Sequence, residues 1–443
     1  MRPCTYSTGV RFWEGGASTR RQTGEQENGS PFTILEQCCA WGKGPPTSSN
    51  LAILRSPLVV AVYVPTLLLA FAAGLLVAVL PLYAASFGVG YGLIGFATSA
   101  AAIGTLVTDV PAGAVLGRIG LRPAMIAGSG MVAFGTLALV WSDQFHWLVI
   151  LRFLAGIGTA LWALSRHAYI AEAIAPAQRG KALSMFGGIN RLGIFAGPAI
   201  GGFLTDFAGI GVTFAVSAGL SFLALVLSAA LLKDVGGPGV ATSAATRWHV
   251  VAQSLRRHWQ EMSAAAIAQT LGQMIRAGRF LIIPLWGQQL GLDAAQIGTI
   301  VTLGAIVDVS MFVPAGMIMD RFGRKVAAVP SFSLMALGMA LIPFSTDFLT
   351  LSLVAMLIGL GNGLGSGLMM TLGADLAPPG ATGEFLGIWR LIGDVGGVLG
   401  PVAVGMVAAA VGLAGGAWIL SIAGWLAVVT LAVLVQETRR AEE

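Results

Sequence analysis

The segment Val110-Pro111-Ala112-Gly113 recurs as Val313-Pro314-Ala315-Gly316, a step of 203 residues from Val110 to Val313. The same step carries Pro81-Leu82 onto Pro284-Leu285, Ile94-Gly95 onto Ile297-Gly298, and Gly156 with Gly158 onto Gly359 with Gly361. It also carries Gly193, Gly197, Pro198 and Gly202 onto Gly396, Gly400, Pro401 and Gly405, and no gap is needed. Self-similarity at one fixed period means two structural copies in one polypeptide. Whatever the chain folds into must therefore be built twice.

Composition decides the solvent. The chain is 56% hydrophobic and 10% charged, whereas a soluble globular protein carries about a quarter charged residues. A polytopic membrane protein is expected, and parallel repeats in such a chain are one plan of secondary transporters. The formal charge of +5 does not point to nucleic acid, because the basic residues lie in short loops between apolar stretches rather than along one face. Glycine is abundant at 61 residues. In lipid, small residues let helix backbones approach closely. Cys4, Cys38 and Cys39 all precede the first apolar stretch. The body thus offers no disulfide or thiolate metal site, and neither a metal nor a cofactor is expected.

Apolar stretches long enough to cross a bilayer, about twenty residues, fall near 57–85, 91–117, 122–141, 146–173, 179–207 and 210–232. A second set falls near 260–289, 294–319, 325–345, 348–376, 381–410 and 414–436. The expected fold is all-α, with twelve transmembrane helices in two six-helix bundles related by a pseudo-two-fold axis along the membrane normal. The domain limits are a disordered extension over 1–55, a first bundle over 56–232, a linker over 233–259, a second bundle over 260–436 and a tail over 437–443. Residues 1–50 read as an extension from an upstream start codon or, alternatively, as carrying a lipidation site at Cys38-Cys39. The linker segment Arg247–Trp259 fits either a surface-lying amphipathic helix or a solvated connection.

Loop charge predicts orientation. Arg118, Arg122, Arg179, Lys181, Lys233, Arg247, Arg256, Arg257, Arg321, Arg324, Lys325, Arg439 and Arg440 fall on one side. The opposite loops carry Asp143, Asp206, Asp293 and Asp347 and no Lys or Arg. By the positive-inside rule both termini face the cytoplasm, in a cell membrane crossed many times.

The loop after the eighth stretch reads Gly316-Met-Ile-Met-Asp320-Arg321-Phe-Gly323-Arg324-Lys325. It resembles the loop signature of the major facilitator superfamily, G-x-x-x-D-R-x-G-R-K. The first copy, Gly113…Gly117-Arg118-Ile-Gly120-Leu-Arg122, matches less fully, with Gly117 where the motif has Asp. The fourth stretch carries Arg152-x-x-x-Gly156-x-Gly158, and Glu172 stands seven residues before Arg179; both are similar to family motifs. In the second copy Asp375 matches Glu172, but Thr382 replaces Arg179. The fifth stretch carries Gly193-x-x-x-Gly197-Pro198-x-x-Gly201-Gly202, which resembles the antiporter motif of the drug:proton exporters. The resemblance spans about residues 57–436. It implies two bundles rocking about a central site, a small-molecule substrate, protons as coupling ions and a monomer in the lipid bilayer. It also implies a latch at the basic side, in which Asp320 meets the N-terminus of the fifth helix near Arg179.

Asp109, Arg152, Arg166, Arg191, Arg276, Arg279, Asp308, Arg390 and Asp394 fall inside the apolar stretches. Each costs about 2.5–3.5 kcal/mol at the bilayer centre, so they must face a cavity or each other. The third, sixth, ninth and twelfth stretches carry none in their cores, as expected for helices facing lipid. Asp308 lies twelve residues before Asp320 and Arg191 twelve after Arg179, about 18 Å deep in each case. The resemblance implies that the fifth and eighth helices face each other across the two copies, so a pair between Arg191 and Asp308 is expected, released by protonation. Asp109, Arg390 and Asp394 fall at similar depth on the second and eleventh stretches. They serve either coupling or a static salt bridge. Arg276 and Arg279, with Arg166 and Trp162, are expected in the substrate cavity; the two arginines on the seventh stretch either meet an anionic substrate or reach Asp308 and backbone carbonyls. Arg152 can snorkel to the outer end.

Function follows as secondary transport: a proton-coupled exporter of small apolar or amphiphilic compounds, or a carrier of an organic anion or other polar metabolite. A membrane enzyme gains no support from the scattered histidines (His146, His167, His249, His258).

Overall fold

The computed structural model describes residues 59–173, 176–232, 234, 259–378 and 382–435. The expectations for residues 1–55, for Cys38-Cys39, for most of the linker and for the tail lie outside the described residues. So do the surroundings of Gly113 and the side chain of Arg179.

The described chain is helical. After a π turn at Val59–Tyr63 come α1 (Val64–Ser86), α2 (Tyr91–Ile119), α3 (Leu121–Ala138), α4 (Phe145–Ala173), α5 (Pro176–Ala208) and α6 (Ile210–Leu231). They are followed by α7 (Trp259–Gln289), α8 (Ala294–Ser310), α9 (Phe312–Phe322), α10 (Arg324–Leu341), α11 (Phe348–Leu364), α12 (Leu368–Leu376), α13 (Thr382–Val411) and α14 (Leu413–Val429). Helices suit this composition because a backbone in lipid must satisfy its polar groups within its own segment.

Glycine sets the turns. Gly88, Gly120 and Gly209 have φ of 67°, 83° and 87°, and Gly291, Gly323 and Gly412, each 203 residues later, have 76°, 97° and 86°. Side chains disfavour this region, so only glycine turns the chain so sharply at no steric cost. Two helices also start on carboxylate caps. Asp293 accepts from the Gln296 backbone and Asp347 from that of Thr350. The bonds from the Thr350 backbone and hydroxyl hold the Asp347 carboxyl below the usual carboxylate range.

The packing repeats at the same step. In the first copy α1 packs on α5 and α6, α2 on α4, and α3 on α4 and α6. In the second, α7 packs on α13 and α14, α8 on α11, and α10 on α11 and α14. Single bonds repeat too. Tyr83 donates to the Ser142 carbonyl as Trp286 does to that of Ser345, and Arg122 reaches the Ala229 carbonyl as Lys325 reaches that of Ala432.

Ten helical spans among the described residues are long and apolar enough to cross a bilayer, counting α8 with α9 and α11 with α12 as one each. The long helices outside that set are α5 and α7, which carry Arg191, Gln269, Gln273, Arg276 and Arg279. Apolar side chains stand exposed along α3, α6, α10 and α14, among them Phe134, Phe222, Leu337, Trp425 and Val429. Such faces need an apolar solvent.

The copies meet at α2 on α13 and α5 on α8. Both seams are backbone against backbone toward the end bearing the Asp206 and Asp293 loops, here called the acidic end. A Cβ at Gly405 would stand 2.6 Å from the Tyr91 carbonyl and 3.0 Å from the Gly95 Cα. A Cβ at Gly298 would collide with the Pro198 carbonyl, and one at Gly202 with that of Ala294. The Asp206 carboxylate accepts from the Ala294 and Ala295 amides at 3.3 and 3.4 Å, so α5 caps the start of α8. Ser99 donates across to Val398, and the Ala199 amide to Thr302. Toward the opposite, basic end, Gly187, Gly188, Gly316 and Gly387 face open space.

Gly298→Val is expected to force α5 and α8 apart at the acidic end. In a variant whose single cysteine replaces Ala295, a membrane-impermeant maleimide should then label faster than in the Gly298 background. An unchanged rate would contradict a seam set by backbone contact.

Candidate functional site

Between the copies lies a cavity of ≈ 250 Å³ walled by α1, α5, α7, α8 and α11. Its lining is mostly apolar (Val77, Ile194, Phe195, Ile283, Val301, Ile358), and Arg191, Arg279, Asp308 and Asn362 also reach it. A second lobe of ≈ 360 Å³ adjoins it among Gln273, Arg276 and Ser366. A third of ≈ 210 Å³ lies beside Thr98, Ser99 and Arg152. Phe280 borders all three.

The ionic contacts differ from the expected ones. Asp308 bonds Arg279 through its Oδ2 at 3.4 Å, and the Asn362 amide donates to the same oxygen at 2.5 Å. Arg191 donates instead to the Ser366 hydroxyl and lies 4.7 Å above the Phe312 ring. The expected Arg191–Asp308 pair is thus absent in this conformation, although both side chains line one cavity. Arg279, on α7, is the guanidinium that reaches the carboxylate. Arg276 donates to the Gly365 carbonyl at 2.9 Å and to Gln273 at 3.3 Å. Of the two readings open for Arg276 and Arg279, contact with Asp308 and a backbone carbonyl is the one seen. It leaves two donors and an acceptor over, since the Nε atoms of both arginines and the Oδ1 of Asp308 are buried without a hydrogen-bond partner.

Helix breaks hold this arrangement. The helix is interrupted at Met311, between α8 and α9, and again at Gly365–Gly367, between α11 and α12. Gly367 takes φ of 77°. The first-copy helices α2 and α4 run through the equivalent positions. An interrupted ladder frees carbonyls at membrane depth, and they are tolerated where they line a cavity. The Gly365 carbonyl accepts from both the Leu368 amide at 3.3 Å and Arg276, and Ser366 beside it holds Arg191. Sequence reasoning missed Gln273, Asn362, Gly365 and Ser366. The signal was present as the run Gly361-Asn-Gly-Leu-Gly-Ser-Gly367 inside an apolar stretch.

A second charged group lies on the α2–α13 seam. Arg390 and Asp394 stand 3.6 Å apart on one turn of α13. Asp109 of α2 faces Asp394 closely enough for the carboxyls to interact, and Arg166 of α4 is buried beside Arg390. The expected companion of Arg166, Trp162, is elsewhere. It is buried with Tyr63, Met125, Tyr169, Ile170 and Leu232 and lines none of the three lobes. A closely packed neighbour explains this: the backbone of Trp162 lies against Gly128 of α3, which turns the residue toward that helix. Arg152 does not snorkel but lines the third lobe with its Nε buried.

At the basic end Arg324 pairs with Asp375 at 2.9 Å and donates to the Met319 carbonyl at the end of α9. Arg122 pairs with Asp234 at 3.1 Å. Arg321 lies over Phe322. Arg118, Glu172 and Asp320 are exposed. Gly120 and Gly323 end their helices with positive φ, as expected of the motif. Of the fifth-stretch motif, Gly193, Gly197 and Gly201 press on Ala70, Gly74 and Leu75 of α1, whereas Pro198 and Gly202 meet α8.

The cavity holds three guanidiniums and one carboxylate. Removing the acid leaves three like charges, while removing one arginine leaves a closer balance. Asp308→Asn is therefore expected to lower the thermal unfolding midpoint in detergent more than Arg279→Gln does. The reverse order in a thermal-shift assay would refute this charge balance.

Comparison with known proteins agrees with the architecture. The family profile of the Major Facilitator Superfamily matches residues 63–271 and 265–443. An uncharacterized MFS-type transporter of Methanocaldococcus jannaschii is 25% identical over 80% of this chain and 92% of its own length. The multidrug resistance protein MdtH of Aeromonas hydrophila is 24% identical over 78% of this chain and 86% of its own. Among solved structures, a D-xylose-proton symporter superposes with a TM-score of 0.71 at 18% identity, covering 86% of this chain and 98% of that one. The chain is a multi-pass membrane transporter, not an enzyme, and it belongs to the Major Facilitator Superfamily.

Proposed function

We propose that the chain moves small amphiphilic compounds by alternating access, coupled to protons through Asp308. The moving parts are two six-helix bundles, residues 56–232 and 260–436, related by a pseudo-two-fold axis along the membrane normal. They make twelve spans once α5 and α7 are counted. The observation that carries the reading is a cavity at the meeting of the copies that contains a single acid, already shared between a guanidinium and an amide. An acid with a removable partner can take up and lose a proton as its surroundings change.

With the basic loops in the cytoplasm and both termini there, the tight acidic end faces outward, and the described conformation opens inward. That accounts for Asp320 standing exposed. In the outward-open state the same residue docks at the positive N-terminus of α5 beside Arg179. Gly120 and Gly323 turn the chain at the ends of α2 and α9, and Arg118, Arg321 and Lys325 hold these loops at the anionic leaflet. Asp109, Arg390 and Asp394 form a second charged contact that the rocking must remake.

Export in exchange for protons is favoured by the glycine-rich face of α5 and by the relatives named multidrug resistance proteins. The excess of arginine in the cavity favours a second reading, a carrier of an organic anion.

In proteoliposomes with an imposed pH gradient, a panel of labelled compounds should reveal one whose flux follows the gradient. Asp308→Asn is expected to abolish that dependence while leaving counterflow of the same compound measurable. Full gradient dependence in Asp308→Asn would remove Asp308 from the coupling.

A further inference from the structure

We propose that the central cavity binds an amphiphilic organic anion through Arg191, Arg276 and Arg279, and that the anion takes Arg279 from Asp308, so that anion and proton bind together. This rests on the second reading above and adds to it the ligand groups and the sign of coupling.

The charge count comes first. Of the elements packed around Asp308, α5 brings Arg191, α7 brings Arg276 and Arg279, and α11 brings the neutral Asn362. Helix α1 carries no charged side chain. The remaining polar groups among the described lining, Gln273 and Ser366, are uncharged. Two positive charges are left over in a space largely walled by hydrocarbon. Buried charge without a counter-charge is unfavourable, and an anionic group relieves it where a cationic one adds to it.

Geometry gives the second argument. The Arg279–Asp308 contact is long at 3.4 Å, whereas a strong charge-assisted bond of this kind is about 2.7–2.9 Å. Both Nε donors on α7 are buried and unpaired, and so is Asp308 Oδ1. Unsatisfied buried donors are costly unless a ligand completes them. Arg276 and Arg279 are already positioned, one by the Gly365 carbonyl and the other against the Phe280 ring at 4.6 Å. Next to this cationic floor, Val77, Ile194, Phe195, Ile283 and Ile358 offer an apolar wall for the body of the ligand.

The sign of coupling follows by linkage. Protonation of Asp308 cancels its charge and frees Arg279 for the anion. An anion on Arg279 in turn deprives the carboxylate of its cation and so favours the proton. Each ligand raises the affinity of the other by the same factor. The two then cross as companions. A cationic cargo would compete with the proton for Asp308 and produce exchange instead.

The test uses purified full-length protein in detergent and three probes of one shape: 2-naphthalenesulfonate, 2-naphthoate and 2-naphthyltrimethylammonium. The sulfonate stays ionised throughout, so any pH effect belongs to the protein. Both anions are expected to bind saturably and the ammonium not at all. Sulfonate affinity should rise several-fold as the pH falls from about 8 to about 5.5, since proton and anion each favour the binding of the other. Asp308→Asn should bind the sulfonate tightly at every pH. Arg276→Gln and Arg279→Gln should each lose about tenfold, the scale of one hydrogen bond to a charged group. No saturable binding of either anion, tighter binding of the ammonium, or a sulfonate affinity indifferent to pH in the wild-type chain overturns the proposal, and none of these depends on a variant folding. Counterflow of the sulfonate in proteoliposomes separates the two claims. Binding without counterflow would overturn the transport reading and leave the anion site standing. Counterflow of another compound without sulfonate binding would do the opposite.

Discussion

Charge buried in an apolar interior governs this structure. Three guanidiniums and a carboxylate stand at the cavity where the copies meet, and each must find a partner there or distort the bilayer. The chain meets this demand with its backbone. An unbroken helix through residues 365–367 would commit the Gly365 carbonyl to its own ladder. The break leaves that carbonyl a backbone bond of 3.3 Å from the Leu368 amide, which it shares with Arg276, and brings the Ser366 hydroxyl to Arg191. The second break, at Met311, follows Asp308 by less than one turn. The first interruption therefore lies beside Arg191 and Arg276, whereas α7 and α13, which carry charged side chains themselves, run unbroken.

The duplication and the chemistry occupy different residues. What repeats at 203 is structural: the positive-φ glycines, the Tyr83 and Trp286 bonds to paired carbonyls, and the Arg122 and Lys325 bonds at the basic end. The cavity charges do not repeat. The counterparts of Arg276, Arg279 and Asp308 are Ala73, Leu76 and Thr105, and Arg191 has Asp394 as its counterpart. A shared scaffold can tolerate this because the repeated contacts lie at turns and helix crossings, away from the cavity wall. The result is an asymmetric site in a duplicated frame, with the second copy supplying most of its ionised groups.

This division also explains what could be read from the sequence. Glycine periodicity reports backbone geometry directly, so the repeat was legible, while the facing of the fifth and eighth helices came only with the family resemblance. Counting residues along a helix fixes height but not azimuth. It placed Arg191 and Asp308 at one level, yet could not show that Arg279 reaches the carboxylate first or that Ser366 waits for Arg191. Trp162 failed for the same reason, since its height suits the cavity while its face belongs to α3. Arg152 was assigned by its closeness to a helix end, but an inner lobe gave its guanidinium an alternative to snorkelling. Spacing measured against apolar composition also hid the breaks, because the run from Gly361 to Gly367 does not lower hydropathy enough to end a span.

The seam sets a limit on how strong each closed end can be. Two access states can both be populated only if they differ by a few kcal/mol, so neither end can be held by a large irreversible contact. The acidic end meets this condition. Its glycine contacts gain dispersion from close approach, about 0.1–0.2 kcal/mol per atom pair, and they involve no side chain that must be unlocked. The Asp206 bonds to the start of α8 are long and exposed, so water replaces them readily when the seam opens. On the rocking scheme, the basic end must offer a contact of similar strength in the other state. A single carboxylate such as Asp320 at a helix N-terminus contributes about 0.3–1 kcal/mol at an exposed site, which is the right scale. Weak, matched closures of this kind leave the choice of state to the occupancy of the cavity, where the charges are strong enough to decide it.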